Sequence, residues 1–435
     1  MIAMDQHTSK PLLRRELGLL EVTLSGIGII LGAGIYVLIG QAAGLAGNAI
    51  WLAFCFSAIM ALLTGLSYAE LSSMFPKAGA EYDYVTNAFN SRLAFVIGWL
   101  VFLSGILAAA TVALGFAGYF SVLTSFPIFI SAIGLLLVLT ALLAYGIKET
   151  ARVAVLLTII EVSGLVIVIA LGLPYLGSVN YWEMPQGYSG LFAAAALIFF
   201  AYQGFESMVK FSEETKIPET TVPKALVLAL VISVILYVLV ALSVVSVLGW
   251  QQLADSPAPF SDVVATTLGP DAAVIIAIVA LFATANTALM SMYASSRILY
   301  GMSGSSLLTA GLAWVHPARR TPWAAIAICG VLSIMLVFAG DIAFIANVTN
   351  FTLFITFIVI NAAVIVLRYR SPDTPRPFRI PVSIGRLPLV PVAGIIFCIF
   401  LLGVQQPSVL LLGIVLTGIG IVLMFVAEHH ALKKI

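Results

Sequence analysis

The sequence predicts an all-α integral membrane protein with twelve transmembrane helices, and three observations lead there. Of 435 residues, 62% are hydrophobic and 9% charged. Soluble domains carry about 25% charged residues, so this chain lacks the polar surface needed to face water. Apolar runs near the 20 residues that cross hydrocarbon as a helix recur at roughly 17–41, 48–74, 92–120, 127–146, 150–172, 189–212, 223–248, 271–303, 322–339, 342–367, 388–404 and 407–427. Finally, threading these spans puts all 20 Lys and Arg on one side or at its helix ends, from Lys10 and Arg14 to Lys433 and Lys434. The opposite loops carry Glu183, Asp255, Asp262, Asp271 and Asp341 and no base. By the positive-inside rule both termini are cytoplasmic, and the expected location is the plasma membrane, crossed many times.

Taken in order, residues 1–16 read as a polar cytoplasmic tail; the apolar run behind them is too long for a cleavable signal. The first span, "LSGIGIILGAGIYVLIG", is rich in glycine. The fifth, "LTIIEVSGLVIVIALG", holds Glu161 as its one charge. The sixth, "LIFFAYQGFESMVKFSEET", carries Gln203, Gly204 and Glu206 at mid-span. The opposite-side loop 249–270 is long and contains "PAPFSD", so short structure lying over that mouth is expected. The segment "RYRSPDTPRPFRIPVSIGRLPLVP" reads as a basic interfacial linker. Cys55, Cys329 and Cys398 each sit alone in apolar runs and form no CxxC pair. His7, His316, His429 and His430 lie at the termini or in a loop, not in a metal-binding pattern.

Spans one and six share a feature that hydrocarbon penalises. Interrupting a membrane helix frees backbone N–H and C=O groups that lipid cannot satisfy, so they persist where they line a cavity or bind a ligand. Glycine permits both the unwinding and a close approach. Span six follows span one by five spans, so a repeat of that length has inverted topology, and breaks at corresponding places point to a transporter's midplane site. The freed N–H groups and positive helix end suit a carboxylate, and freed carbonyls suit an ammonium. An amino acid has both.

Several motifs then resemble the amino acid–polyamine–organocation superfamily of permeases. "GAGIY" (32–36) is similar to its first-helix motif, with Tyr36 where Phe is usual. "YAELSSMFPKAGAEYDYV" (68–85) resembles its second-helix exit, with Ala80 where a second Gly is common. "FFAYQGFESMVKFSEETKIPETTVPKAL", "SSRILYGMS", "TPWAAI" and "LRYRSPDTPRPFRIP" follow in the expected order, while Ser306 and Thr309 depart from a frequent Gly and Pro. The resemblance implies a LeuT-type fold with two inverted five-helix repeats, 17–172 and 189–367, then helices 11 and 12 and a C-terminal tail in 368–435. It further implies a substrate carboxylate on the N–H groups of Gly32, Ala33 and Gly34. The ammonium would meet the carbonyls of Ile30, Phe200, Ala201 and Gln203, with Phe200 and Tyr202 as gate candidates. In relatives, the fifth helix can present a lysine at a coupling site. Glu161 stands there and reverses the charge, with Gly28 and Leu31 carbonyls and Ser295 and Ser296 hydroxyls as the implied lining.

Of the four acids inside spans, Glu21 and Glu70 lie near the basic ends, within reach of Arg14, Arg15, Lys77 or headgroup water, and read as structural. Glu206 precedes Lys210 by four residues, a favourable helical pair. It reads as a structural contact, with a proton relay as the other role. Glu161 lies eleven residues beyond the start of its span, about 17 Å deep, with no cation one turn away. An intramembrane acid costs several kcal/mol and is by default functional.

The expected function is secondary active import of an amino acid, proton-coupled through Glu161; an ion-independent amino acid or polyamine exchanger and a sodium-coupled symporter are the alternatives. No GxxxxGK[ST] loop provides for ATP. No HExxH or Ser/His/Asp constellation supports an enzyme, and neither a cofactor nor a nucleic-acid partner is expected. With no base at mid-membrane, acidic substrates are disfavoured and neutral ones lead. Single cysteines placed in loops 42–47, 173–188 and 249–270 of a cysteine-free background should label from outside intact cells with an impermeant reagent. Labelling only after permeabilisation would reverse the orientation.

Overall fold

In the computed structural model, residues 15–77, 80–145, 150–304, 314 and 321–432 are described. The helices run α1 (Leu19–Ile30), α2 (Gly34–Ala46), α3 (Ile50–Met74), α4 (Ala80–Ala88), α5 (Ser91–Thr124), α6 (Ile128–Tyr145), α7 (Thr150–Gly172) and α8 (Gly187–Tyr202). A 3-10 segment, Phe205–Glu214, continues α8. Then come α9 (Pro218–Asp255), α10 (Pro259–Leu268), α11 (Pro270–Gly304), α12 (Trp323–Val337) and α13 (Ile342–Arg370). A two-residue hairpin, β1 (Ser383–Ile384) and β2 (Leu387–Pro388), leads to α14 (Leu389–Gly403) and α15 (Pro407–Leu432). Among the described residues, nine helical stretches are long and apolar enough to cross a membrane, with α1, α12 and α14 as shorter apolar helices. One of the nine, Gly34–Met74, holds two helices that fold back at Gly47–Ala49.

Local chemistry sets several of these ends. Asn90 caps α5 by accepting the Leu93 N–H, and Asp341 caps α13 by accepting those of Ala343 and Phe344. Gly249, at φ 71°, kinks α9 near its end. Ala80, where the sequence departs from glycine, sits at φ 39°, a conformation that burdens a side chain. The central helix α5 packs against α11, α13, α6 and α12, while α3 packs on α8 and α9, and α2 on α8. Lys10, Arg14, Lys148, Arg319, Arg320, Lys433 and Lys434, with His7, His316, Ser306 and Thr309, lie outside the described residues, as does the side chain of Arg152.

The basic face is tied by backbone and charge. The N–H groups of Glu16 and Leu17 donate to the Glu214 carbonyl, and the Lys216 N–H donates to Leu17 O, so the chain entering α1 pairs with the end of the 3-10 segment. Glu21 accepts the Gly18 N–H at 2.9 Å, a capping role that agrees with its structural reading. Glu70 is fully buried. Its partner is neither Arg15 nor Lys77, however. Arg368, at the end of α13, holds both carboxylate oxygens, at 2.9 and 2.5 Å, and the Ile380 N–H adds a third bond at 2.8 Å. Arg376 closes in at 3.3 Å. The linker behind α13 is thus only partly interfacial: two of its arginines turn inward onto an acid that otherwise would be uncompensated.

On the opposite face, Glu183 accepts bonds from Asn48 Nδ2 and Trp250 Nε1, at 2.8 and 2.9 Å, joining the ends of three spans. The expected structure over this mouth is α10, whose Phe260 is buried with its ring 4.7 Å from that of Tyr36.

Replacing Arg368 by Ala removes two of the three hydrogen bonds of the buried Glu70 and leaves Arg376, at 3.3 Å, as its remaining cation; loss of one partner of a buried pair costs up to about 3–5 kcal/mol. Arg368→Ala should therefore unfold much earlier than the parent in detergent. Adding Glu70→Gln should restore part of the loss in the same melting experiment.

Candidate functional site

Both expected breaks are present. The first span divides at Leu31, Gly32 and Ala33 between α1 and α2, and the sixth divides at Gln203 and Gly204. Gly204 adopts φ 110°, a conformation a side chain resists, and a Cβ there would stand 2.9 Å from the Ile29 carbonyl oxygen. The two breaks touch. A Cβ on Gly34 would lie 2.6 Å from Ala201 Cα, so Gly34 permits direct backbone contact between the two broken helices. A side chain at this position would strike Ala201 before it could screen a ligand from the N–H groups.

Every polar group released here needs a partner. The Ala33 N–H donates to Thr287 Oγ on α11 at 3.0 Å, and that hydroxyl donates in turn to Ala283 O. Gly32 faces the same residue, since its Cβ would meet Thr287 Oγ at 2.8 Å. At the other break, Glu206 accepts the Gly204 N–H at 2.8 Å. The i, i+4 pair with Lys210 gives way to this cap, because three residues per turn in a 3-10 segment carry position i+4 off the face of i. Gln203 donates to Asn350 Oδ1 on α13 at 2.9 Å, and Asn350 Nδ2 donates to the Ala196 and Leu197 carbonyls.

Ile30 and Ala201 converge on one side chain. The Tyr237 hydroxyl, on α9, lies 2.6 Å from Ile30 O and 2.8 Å from Ala201 O. A phenol has one proton to donate, so two freed carbonyls share one donor. Phe200 O accepts the Gln203 N–H at 3.4 Å, and the Phe200 side chain is 5% exposed. Tyr202 is fully buried. Its hydroxyl donates to Phe54 O at 3.1 Å and its ring packs edge-on against Phe54 and Tyr237. Tyr202 thus packs against α3, and both gate candidates are buried in this arrangement.

The α7 face that meets the first break follows helical spacing. Thr158 lies against Gly28, and a Cβ on Gly164 would be 2.5 Å from the Tyr36 hydroxyl. Glu161 sits between them on the same face. Tyr36, the departure from Phe, donates its hydroxyl to the Glu161 carbonyl oxygen at 2.7 Å. The Glu161 side chain itself is fully buried, and neither carboxyl oxygen has a hydrogen-bond partner among the described residues. The expected bond to Gly28 or Leu31 carbonyls is thus unformed. Leu31 is buried and its own N–H donates to Ile27 O. The serine lining is elsewhere: Ser295 donates to Phe102 O on α5 and Ser296 to Tyr293 O of its own helix. Thr287 is the α11 hydroxyl that reaches the first break.

Sequence reasoning missed Thr287, Asn350 and Tyr237. Nothing in the neighbouring sequence singles them out, and their joint presence near the breaks depends on packing.

A family model for amino acid permeases matches residues 17–429. The chain belongs to the amino acid permease family. This places it in the amino acid–polyamine–organocation superfamily, among multi-pass membrane transporters rather than enzymes. The permease is 34% identical to a branched-chain amino acid permease of Bacillus subtilis, over 90% of this chain and 88% of that one. It is 30% identical to a methylthioribose transporter of Bacillus subtilis, over 99% and 97%. A vacuolar cationic amino acid transporter of Arabidopsis thaliana is 29% identical over 83% of this chain and 64% of its own longer length.

Removing the Tyr237 hydroxyl leaves two buried carbonyls without a donor, which costs about 1–3 kcal/mol. Tyr237→Phe should lower the unfolding midpoint in detergent without substrate. An unchanged midpoint would mean that the Ile30 and Ala201 carbonyls are solvated by other means.

Proposed function

We propose that this permease is a secondary active transporter that imports an amino acid by alternating access, with protons coupled through Glu161. On this reading it has twelve spans in two inverted five-helix repeats plus two, and its basic face and termini are cytoplasmic. The observation that carries the substrate class is the convergence of Ile30 O and Ala201 O on one hydroxyl. A substrate ammonium brings three protons where Tyr237 brings one, so it satisfies both carbonyls as the phenol withdraws. The same substrate's carboxylate lies toward the N-terminus of α2, where the first N–H groups lack intrahelical acceptors and the dipole favours an anion.

Coupling rests on the unpartnered Glu161 carboxyl beside that break. A charge in this place costs several kcal/mol, so the arrangement seen here suits the neutral acid. Ionisation favours water entry and loosens the contact of α7 with α1 and α2. Sodium draws less support, because Ser295 and Ser296, the hydroxyls of the implied oxygen shell, are committed to Phe102 and Tyr293 carbonyls. Glu206 is engaged by Gly204, leaving one unpaired acid at the site and favouring neutral over cationic substrates. The branched-chain relative agrees with that preference. Methylthioribose, carried by another relative, has neither carboxylate nor ammonium, so it is the informative competitor.

In proteoliposomes, an imposed inward proton gradient should drive accumulation of a neutral amino acid, and a sodium gradient should not. Glu161→Gln should keep binding and counterflow exchange but lose at least tenfold in gradient-driven accumulation. Unchanged accumulation would remove Glu161 from coupling. Uptake of methylthioribose with no amino acid uptake would overturn the substrate class.

A further inference from the structure

Where the linker leaves α13 on the basic face, four arginines line one pocket. Arg368, Arg376, Arg379 and Arg386, with Pro372 and Thr374, enclose about 280 Å³. The inner pair is immobilised. Arg368 is held by Glu70 and by Ser383 and the Ile380 carbonyl. Arg376 adds Leu367, Ser371, Pro372 and Thr374 carbonyls to its approach to Glu70. One carboxylate thus serves two buried guanidiniums, and Arg379 and Arg386 stand on the exposed rim. These partners use nearly all the N–H groups of the inner pair, which therefore contributes fixed positive charge, offset in part by Glu70 behind it. The fork-shaped donors left for the oxygens of a phosphate are those of Arg379 and Arg386.

The surface beside the pocket selects the source of that phosphate. Arg386 lies in the turn of the β1–β2 hairpin, whose flanking Val382 and Ile384 are 65% and 69% exposed. The hairpin runs directly into α14, whose Ile396, Ile399 and Phe400 are exposed apolar side chains suited to lipid. Apolar residues exposed around a basic cluster at the end of a span suit the boundary between headgroups and acyl chains, where each Lys or Arg strengthens attraction to anionic lipid. A free anion in water has no use for Val382 and Ile384.

We propose that this pocket binds the phosphate of an anionic phospholipid on the basic face, with the hairpin seated in the interface. The bound lipid bridges α13, the linker and, through Arg368 and Glu70, α3. The test uses the full-length protein in neutral detergent and follows its unfolding temperature during titration with short-chain phosphatidylglycerol, phosphatidylcholine or inorganic phosphate. Phosphatidylglycerol should stabilise saturably, the other two much less. Arg379→Gln with Arg386→Gln should need roughly tenfold more phosphatidylglycerol for the same stabilisation. Lys216→Gln with Lys224→Gln removes two exposed charges from the same face and should titrate as the parent does. If the double arginine variant starts from a lower melting point, Arg386→Gln alone should still weaken the response. Unchanged titration by the arginine variants overturns the site. Equal stabilisation by phosphatidylcholine overturns the charge requirement, and equal stabilisation by inorganic phosphate overturns the lipid.

Discussion

Backbone polar groups released inside an apolar protein must find partners within it, and the centre of this molecule is arranged around that constraint. Two helices break at mid-span, and each break draws side chains from elsewhere in the fold. Thr287 comes from α11 to Ala33, Asn350 from α13 to Gln203, and Tyr237 from α9 to Ile30 and Ala201. Glu206 folds back to Gly204 from within its own segment. These bonds commit helices far apart in sequence to one geometry. They also bring several polar side chains to one place in an apolar bundle, as the proposed binding of a polar substrate there requires.

Two fully buried glutamates show how the same side chain serves opposite ends. Glu70 has three donors in hydrogen-bond contact and a second guanidinium nearby, so its charge is compensated and its position fixed. Glu161 has none among the described residues. Its backbone carbonyl receives Tyr36, but its carboxyl is left over. A compensated charge holds helices together and resists change; an uncompensated carboxyl is sensitive to the arrival of a proton or water. The first fits a structural clamp and the second a group that responds to its surroundings.

Much of the fold was legible because its signals are local. Apolar runs have the length of a bilayer crossing, and loop charges sort by side. Glycines and a Gln-Gly pair at mid-span marked both breaks correctly. Two helix starts have a local cause of the same kind, since Asn90 and Asp341 cap α5 and α13 from within three residues. Legibility failed where a polar residue's partner is distant. Glu70 was read as a structural acid within reach of Arg14, Arg15, Lys77 or headgroup water, and it meets Arg368, almost three hundred residues away. Ser295 and Ser296 were assigned to the coupling region and turned to α5 and their own helix, because the rotation of α11 about its axis is set by packing.

By itself, then, the sequence determined a helical membrane protein of the permease family, the two breaks and an acid isolated within an apolar span. Hydropathy, glycine and charge act over one helix length, and each leaves a mark in consecutive residues. Only the tertiary structure decided which hydroxyl serves which carbonyl, that Gly34 rests on Ala201, and that Glu161 is left without a donor while Glu70 is not. Those outcomes depend on helix rotation and crossing, which are fixed by side-chain packing among segments hundreds of residues apart. No single stretch of sequence records them.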